Sequence, residues 1–436
     1  MIFVLGLVNG AEAQLTLGGD PRIDPADFRI TVFASGLDFP SGLTRLPDGS
    51  LLVALSPPTG GSFFSSGGRL VRLVDADEDG VADGPGTIVF DDPMAGTLTS
   101  LRVAGTLVFV TSAANGAERI SILRMAGGPA GPYTRIGTLD FAFPPGWEHT
   151  TYGLAVRRAP GTAADTWELY FNVGSSSNDA QSAATVGLGG LLTGTLEGAS
   201  IYRVVVEDTG TGVAVSALTR VASGVRNAAA MGFHPDTGDL YFADNGIDTP
   251  SNRPEPLSAD ELNRIADAGV GVPHFGFPTD YVAYRTGQRV GSGGVQPLVA
   301  FQPIPMPDGA ESEGAAGLAF APAGFPIGLA HGVFVGFHGQ SSLGGLENEE
   351  NPVVFHDFDR GGYFHFIAGR QTGMGHPNTL LTTADSLFGA DLSSTGGFGS
   401  GGTGVIYQIR HRPRPTFDDV AVDHPFYRAI EALVRA

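Results

Sequence analysis

The stretch that decides the fold runs from residue 229 to residue 246 and reads AAMGFHPDTGDLYFADNG. Its first part alternates apolar and small residues, which is the period of a β-strand with one face against a core. The turn PDTGD then supplies residue types that tolerate a positive φ, as a tight hairpin requires. The second part is apolar and aromatic and ends in small or polar residues. The stretch therefore predicts a β-hairpin.

Five other segments repeat this pattern, so the hairpin is the unit of a repeated fold. Successive copies start about 50 to 85 residues apart, which leaves room for two further strands in each unit. Radial repetition of four-stranded antiparallel sheets is typical of a β-propeller. We predict an all-β, six-bladed propeller over residues 14–410, with a β-sandwich or a pair of β domains as the alternative. The copies begin at Phe39, Leu98, Thr150, Ala229, Gly314 and Asn378.

Composition narrows the possible partners and chemistry. The 436 residues include 65 Gly and 30 Pro, spread between short apolar runs. The formal net charge is −20, and all 25 basic residues are Arg. Nucleic acids and anionic membranes need a basic surface, so we expect neither as a partner. The sequence has no Cys, which excludes disulfides, thiolate metal sites and a Cys nucleophile.

The N-terminus indicates export. Residues 1–13 look like a short apolar segment with an A-x-A cleavage site before Gln14, as in a secretory signal peptide. A buried first strand is the alternative. The signal interpretation predicts a secreted protein of bacterial type, periplasmic or on the cell surface. No other stretch has the roughly 20 consecutive apolar residues of a membrane helix, so we expect no membrane span.

Few segments predict a helix. Inside the propeller the one candidate is Ser258 to Ala268, with Ser258 as N-cap and Glu261 at the capping-box position. After residue 410 the sequence changes to a Pro- and Arg-rich linker and then a short amphipathic helix, so residues 411–436 form a separate segment.

An acidic loop between residues 75 and 83 predicts a cation site. Asp75, Asp77 and Asp79 alternate, Gly80 follows, and Asp83 comes three residues later. Carboxylates in this spacing converge in a tight loop, and Ca²⁺ takes six to eight oxygen ligands. We predict a structural Ca²⁺ site formed by these four aspartates, with a solvated acidic turn as the alternative.

The strongest candidates for catalysis lie just before two of the predicted first strands. His149 precedes the third copy, and Arg226 and Asn227 precede the fourth. In a propeller, such positions open onto the central channel. Histidine has a pKa near neutrality and serves as a general base. An Arg–Asn pair offers a bidentate cation and an amide to a carboxylate or carbonyl.

Several motifs together resemble the soluble quinoprotein glucose/sorbosone dehydrogenases, which are six-bladed propellers that bind pyrroloquinoline quinone (PQQ) and Ca²⁺. The resemblance covers roughly residues 28–410. The matching motifs are HxxxGL from His149 with ELYFNVGSSSN ending at Asn178, GxRN from Gly224, GFxPxTGxL ending at Leu240, DNG at 244–246, DELN at 260–263, HFGFP at 274–278 and FVGFHG at 334–339.

The resemblance implies a role for each matching residue. His149 stands where the family has its catalytic base, which removes the proton of a substrate hydroxyl. Arg226 and Asn227 match the pair that holds the quinone oxygens. Residues 245–247, Asn245, Gly246 and Ile247, match the stretch whose backbone carbonyls bind the active-site Ca²⁺. A sugar or polyol is then the substrate, and PQQ and Ca²⁺ are the cofactors.

The chain also departs from the family. PQQ carries three carboxylates, which the family holds with additional Lys or Arg residues, whereas this chain has no Lys and has Gln340 and Gln408 at two expected basic positions. Arg370 is the residue that compensates in this interpretation. The alternative is a propeller without the quinone that acts as a cell-surface binding module. A calcium-dependent hydrolase of the lactonase type is disfavoured because Asp244 is the one inward carboxylate clearly placed.

The C-terminal segment carries a second resemblance. Residues 417–436, FDDVAVDHPFYRAIEALVRA, are similar to the opening half of an S-layer homology repeat, in which FxDV precedes a helix with an HxFxxxI pattern. The resemblance implies attachment to a cell-envelope polymer. A simple docked helix is the alternative.

Overall fold

A computed structural model provides the structure of the protein. It describes residues 15–58, 62–65, 67–114, 117–162, 165–248, 257–266, 271–303, 313–339, 352–369, 376–394, 398–399, 401–412, 415–417, 419–421 and 424–435.

Strands make up almost all of the regular structure. The first strand is β1 (Phe28–Leu37). Blade 1 follows with β2 (Pro40–Arg45), β3 (Leu51–Leu55), β4 (Gly68–Leu73) and β5 (Thr87–Asp92). Blade 2 has β6 (Thr97–Ala104), β7 (Leu107–Ala114), β8 (Ala117–Met125) and β9 (Tyr133–Ala142). The third unit has β10 (Leu154–Arg158), β11 (Thr166–Val173), β12 (Thr185–Gly190), β13 (Gly194–Glu197), β14 (Ser200–Asp208) and β15 (Val213–Ser223).

The second half of the chain continues in the same way. The fourth unit has β16 (Ala228–Phe233), β17 (Leu240–Asp244), β18 (Asp260–Ile265), β19 (Tyr281–Val282), β20 (Arg289–Val290) and β21 (Val299–Phe301). Blade 5 has β22 (Ala315–Phe320), β23 (Gly332–Phe337), β24 (Val353–Asp357) and β25 (Tyr363–Ile367). Blade 6 has β26 (Pro377–Thr382), β27 (Ser386–Asp391) and β28 (Gly404–His411). The helices within the described ranges are α1 (Tyr427–Arg435) and three 3₁₀ turns at Pro25–Asp27, Phe63–Ser65 and Ile327–Leu329.

The first strands of the six units contact one another in a closed ring, in the order β2, β6, β10, β16, β22, β26 and back to β2. Each blade is an antiparallel sheet built on four strands. In blades 1 to 5 these four strands follow the chain outward from the channel, whereas the outermost strand of blade 6 is β1. The predicted all-β, six-bladed propeller is confirmed. Each of the six sequence repeats forms the first two strands of one blade.

Strand β1 closes the ring without a covalent bond. It pairs with β28 from Phe28 opposite His411 to Leu37 opposite Gly404, and so completes blade 6. The segment just before it covers the edge of blade 5, where Gly18 N donates to Phe366 O at 2.7 Å. Two distant parts of the sequence therefore hold the blades together at the closing point.

The second strand of several blades is buried along its whole length. All residues of β3, β17, β23 and β27 are buried. These strands lie in the interior of a sheet that packs against a neighbouring blade on each side, so both faces are apolar. This is why they appear in the sequence as continuous apolar runs.

One insertion crosses between blades. Strands β12 and β13, which lie in the chain between β11 and β14 of blade 3, pair onto β9 and extend blade 2 to six strands. The connection from 174 to 184 that leads into this hairpin runs along the channel mouth and carries Ser175, Ser177 and Asn178.

The helix predicted from Ser258 is wrong over Asp260–Ile265, which form strand β18 between β17 and β21. The capping-box residues have other partners, because Ser258 Oγ accepts from Ile247 N at 2.6 Å and Glu261 accepts from the Asn263 amide at 3.2 Å. The short C-terminal helix is confirmed as α1. In the described part of the chain, no helix combines the length and apolarity needed to span a membrane.

Candidate functional site

Five first strands carry a β-bulge at the same place, close to one mouth of the channel. In β2, β6, β16, β22 and β26 the pairing with the second strand skips one residue. A bulge re-aims the side chain of the extra residue. The skipped residues are Ser41, Thr99, Ala229, Ala316 and Asn378, and the last four line one pocket of about 210 Å³.

A repeated hydrogen-bond pattern fixes the residues that precede the first strands. Asp244, at the end of β17, accepts from the backbone N–H of Arg226 at 3.0 Å and of Asn227 at 2.6 Å. Asn172, the last residue but one of β11, and Asp391, at the end of β27, bond in the same way to residues ahead of β10 and β26. These bonds hold the chain where it enters β10, β16 and β26.

His149 lies in this pocket, and its hydrogen bonds define its tautomer. The Ser175 hydroxyl donates to Ser177 O at 2.8 Å, so its oxygen accepts from His149 Nδ1 at 2.9 Å. With the proton on Nδ1, the Nε2 atom of the neutral ring carries a free lone pair. Burial and the nearby Arg226 guanidinium hold the pKa of His149 well below its usual value. The imidazole is therefore neutral at pH 7, and its unprotonated Nε2 can accept a proton.

Arg226 lines the same pocket as His149 and is held by several hydrogen bonds. Its Nε donates to Asn178 O at 2.8 Å, its Nη1 to Asn245 O at 3.2 Å and its Nη2 to Asp248 Oδ1 at 3.1 Å. The side chain is 3% exposed. In the described part of the pocket Arg226 is the one Arg or Lys and Asp248 the one carboxylate. The local charge is thus close to balanced before any ligand binds.

Two amide oxygens in the pocket are buried without a hydrogen-bond partner, Asn227 Oδ1 and Asn245 Oδ1. An unpaired buried acceptor costs about 1–3 kcal/mol. Both residues line the pocket wall. A ligand that brings a donor or a cation to these oxygens would remove that cost.

The structure brings together most of the sequence-predicted site. His149, Arg226, Asn227, Asn245 and Gly246 all line the pocket. Ile247 has its side chain in the core, 1% exposed, and its carbonyl accepts from Ser258 N at 3.1 Å. Since Asn245 O already accepts from Arg226, the backbone Ca²⁺ site at 245–247 stays a prediction.

Three further positions do not contribute to the described pocket. Arg370, the predicted cofactor residue, and Gln340 lie outside the described residues. Gln408 is described on β28, where its amide donates to Ser386 Oγ at 3.1 Å within blade 6, and it does not line the pocket. Position 408 lies outside the pocket, so having Gln there, in place of the expected basic residue, does not change the charge of the pocket.

The acidic loop lies in blade 1 between β4 and β5. Carboxylate oxygens of Asp75, Asp77 and Asp79 lie within 4.8 Å of one another. Asp83 instead accepts from Ala76 N at 2.7 Å and closes the loop. Burial raises the pKa of Asp75. The structure thus places three of the four predicted ligands together, and Ca²⁺ binding there stays a prediction.

One wall of the pocket was not predicted. Phe63, His338 and Phe398 line it, and His376 stacks on Phe398 with ring centroids 5.3 Å apart. Burial and the neighbouring His376 lower the pKa of His338 to about 3, so the ring is neutral. His338 precedes the final Gly of the FVGFHG motif, as Asn245 precedes the final Gly of the fourth repeat, and this equivalence was the available signal. The wall is aromatic and uncharged.

The fold and the pocket define a class: a six-bladed propeller with a polar, histidine-containing pocket at one mouth of its channel. No protein-family model matches the chain. A curated protein from Borreliella burgdorferi, described as uncharacterized, is 43% identical over 58 residues, and the chain covers 14% of its length. That match spans 13% of this chain and shows no family.

Particular solved structures share the fold. The holo form of the PQQ domain of pyranose dehydrogenase from Coprinopsis cinerea has a TM-score of 0.59 at 15% identity, covering 92% of this chain and 98% of that one. The PQQ-bound aldose sugar dehydrogenase from Streptomyces coelicolor has a TM-score of 0.54 at 18% identity, covering 88% and 99%. A putative glucose dehydrogenase from Thermus thermophilus has a TM-score of 0.52 at 19% identity, covering 88% and 99%. Likeness at these identities shows the fold alone.

Proposed function

We propose that this protein is a dehydrogenase that oxidises a hydroxyl group of a small sugar or polyol, with His149 as the general base. The observation that carries the proposal is the unprotonated Nε2 of His149, facing a pocket and fixed by Ser175. His149 Nε2 takes the hydroxyl proton. The Arg226 guanidinium across the pocket stabilises the negative charge that develops on the substrate oxygen.

PQQ is the proposed redox cofactor, and when bound it would accept the hydride from the substrate carbon. The residues present fit its quinone side, where Arg226 and the Asn227 amide supply N–H donors. The two unpartnered oxygens, Asn227 Oδ1 and Asn245 Oδ1, are hard ligands of the kind Ca²⁺ takes, together with the carbonyls of 245–247. In the described part of the pocket Arg226 is the one Arg or Lys. Binding of the PQQ carboxylates by Arg370, which lies outside the described residues, is proposed from the sequence alone.

The proposal includes an extracytoplasmic location. It rests on the signal-like residues 1–13. The segment 411–436 would then attach the enzyme to a cell-envelope polymer.

Reconstitution tests the proposal. Purified protein is mixed with PQQ and Ca²⁺, and the quinone absorbance is followed on adding glucose or other aldoses. We expect binding at micromolar PQQ, bleaching by substrate, and dye-linked oxidation. His149→Ala should lower kcat by about 10²- to 10⁴-fold, the range lost with a general base. The matched control is His424→Ala on the exposed C-terminal segment, which should leave the rate unchanged. A His149→Ala protein as active as the control would overturn the assignment of the base.

A second function is favoured by one observation. Three apolar side chains on or beside α1 are exposed to solvent: Phe426 is 66% exposed, Leu433 79% and Val434 46%. The described pocket, in addition, has a single Arg or Lys. In this alternative the protein is a non-catalytic propeller that attaches to the cell surface or adheres to it through this segment. Such a module does not need to bind the quinone. Absence of PQQ binding in the same titration, together with retention of the protein on isolated cell envelopes, supports this alternative.

A further inference from the structure

A second cavity lies at the opposite mouth of the channel. The first strands lead from one site to the other: Ala229, Ala316 and Asn378 line the candidate active site, and two residues further along lie Met231, Leu318 and Leu380, which line the second cavity. Two strand residues span about 7 Å. Since the layer of Met231, Leu318 and Leu380 lies between the two openings, the second cavity is a separate site, with a volume of about 590 Å³.

Arg102 reaches into this cavity from β6 and has no acidic partner. Its Nη1 donates to Leu101 O at 2.8 Å and its Nη2 to Met231 O at 2.9 Å. The second bond crosses the channel from blade 2 to blade 4. No described carboxylate forms an ion pair with the guanidinium, although Asp236 also lines the cavity. Burial lowers the pKa of Arg102 to about 10, and the group stays charged at pH 7.

A largely buried cation that forms no ion pair with a described residue is a costly arrangement. The two carbonyls accept hydrogen bonds from part of the Arg102 guanidinium, but they carry no negative charge that would neutralise it. The remaining N–H groups have no acceptor among the described residues, so an anion that enters the cavity would meet an oriented donor set.

The rest of the cavity defines what kind of anion fits. Its walls include the side chains of Leu43, Leu318, Phe320, Phe358 and Leu380, a largely apolar surface. His234, also in the wall, uses Nδ1 to accept from two backbone N–H groups at 3.2 and 3.3 Å. The cavity has one Arg, and the Asp236 carboxylate also lines it. A ligand with several negative charges would therefore be repelled more than a monoanion.

We propose that the far mouth of the channel binds a small amphipathic monoanion, such as a medium-chain carboxylate. Its charged end lies on the Arg102 guanidinium, and its apolar body lies along Phe320, Phe358 and Leu318. The site is independent of the proposed dehydrogenase chemistry, which uses the other mouth.

Calorimetric titration with sodium octanoate tests the proposal, with octan-1-ol as the uncharged analogue and sodium acetate as the charged headgroup alone. We expect octanoate to bind more tightly than either. Arg102→Met should weaken octanoate at least tenfold while changing octan-1-ol by less than twofold, since it removes the charged partner and keeps the bulk. Arg102→Lys should retain part of the affinity. The matched control is Arg264→Met on the outer part of blade 4, which should bind octanoate like the natural protein.

Thr382→Trp, which puts a bulky side chain into the cavity lining and keeps Arg102, decides the question if Arg102→Met does not fold. It should abolish octanoate binding. His149→Ala should leave octanoate binding unchanged, which separates this site from the active site. Equal affinities for octanoate and acetate, or unaltered octanoate binding in Arg102→Met or in Thr382→Trp, would overturn the proposal.

Discussion

At the scale of single residues, the chemistry depends on hydrogen bonds that fix protonation. His149 is a candidate base because of Ser175, whose own proton is committed to Ser177 O. Residue types in the sequence indicated the base and its cationic partner, Arg226. The sequence could not reveal the tautomer, because Ser175 lies 26 positions further along and meets His149 only when blade 3 forms.

Glu118 leads to a prediction on pH and stability. This carboxyl group is 5% exposed, accepts from Thr151 N at 2.7 Å, and has its pKa raised by burial from an ordinary 4.5 to about 7. Between these two pH values the folded protein holds a proton that the unfolded chain has lost. The free energy of unfolding therefore falls as pH rises from 4.5 to 7.

Glu118→Gln removes this titration and keeps an acceptor for Thr151 N. As pH rises, we expect the free energy of unfolding of the variant to increase relative to that of the natural protein. The relative increase reaches about 3 kcal/mol at most, above pH 7. Urea unfolding at pH 5 and pH 8 measures the difference. Glu207→Gln, on blade 3, is the control with ordinary solvation. The same pH dependence in Glu118→Gln and in the natural protein would show that Glu118 is ionised at no cost.

At the scale of elements, the sequence predicted the hairpins correctly, because a hairpin is determined by its own turn and its two adjoining strands. Each repeat carries its own turn and its own pair of strands, so the first two strands of every blade were predictable. Strand β18 was mistaken for a helix because Ser258 and Glu261 match a local capping pattern. The actual structure is set by pairing with β17 and by Asp260, whose carboxylate accepts from Gly246 N at 2.7 Å and Ala315 N at 3.2 Å. The docking of β12 and β13 on blade 2 is equally non-local.

The loop between β4 and β5 gives a prediction at this scale. If Asp75, Asp77 and Asp79 bind Ca²⁺, the ion stabilises the folded state by about 2.7 kcal/mol at a free concentration of 100 times Kd. Thermal unfolding with Ca²⁺ and with EGTA should show a higher Tm with Ca²⁺. Asp77→Asn should remove part of this rise, and the remainder belongs to any second Ca²⁺ site. Asp91→Asn, on the exposed face of β5, is the matched control. An equal rise in Asp77→Asn and in the control would exclude the loop as the site.

At the scale of the whole molecule, stability depends on closing the ring. Strand β1 supplies the fourth strand of blade 6, and the residues before it cover the edge of blade 5. Residues 15–37 bury Leu15, Leu17, Ile23 and Phe33, each at most 7% exposed. At about 1.5–3 kcal/mol for each large apolar side chain, the four together reach the total stability of a typical domain, about 5–15 kcal/mol.

A chain that lacks residues 15–37 should therefore not fold stably, and it should leave β28 as an open edge. We expect its urea midpoint to fall sharply or its transition to disappear, as measured by circular dichroism. A synthetic peptide of residues 15–37 added in trans should restore the transition in a concentration-dependent way, because the closure is non-covalent. The control peptide carries Ile30→Pro and Val32→Pro, which remove donors to the β28 ladder. An unchanged midpoint after the deletion would mean that the other five blades and the remaining strands of blade 6 close the ring by themselves.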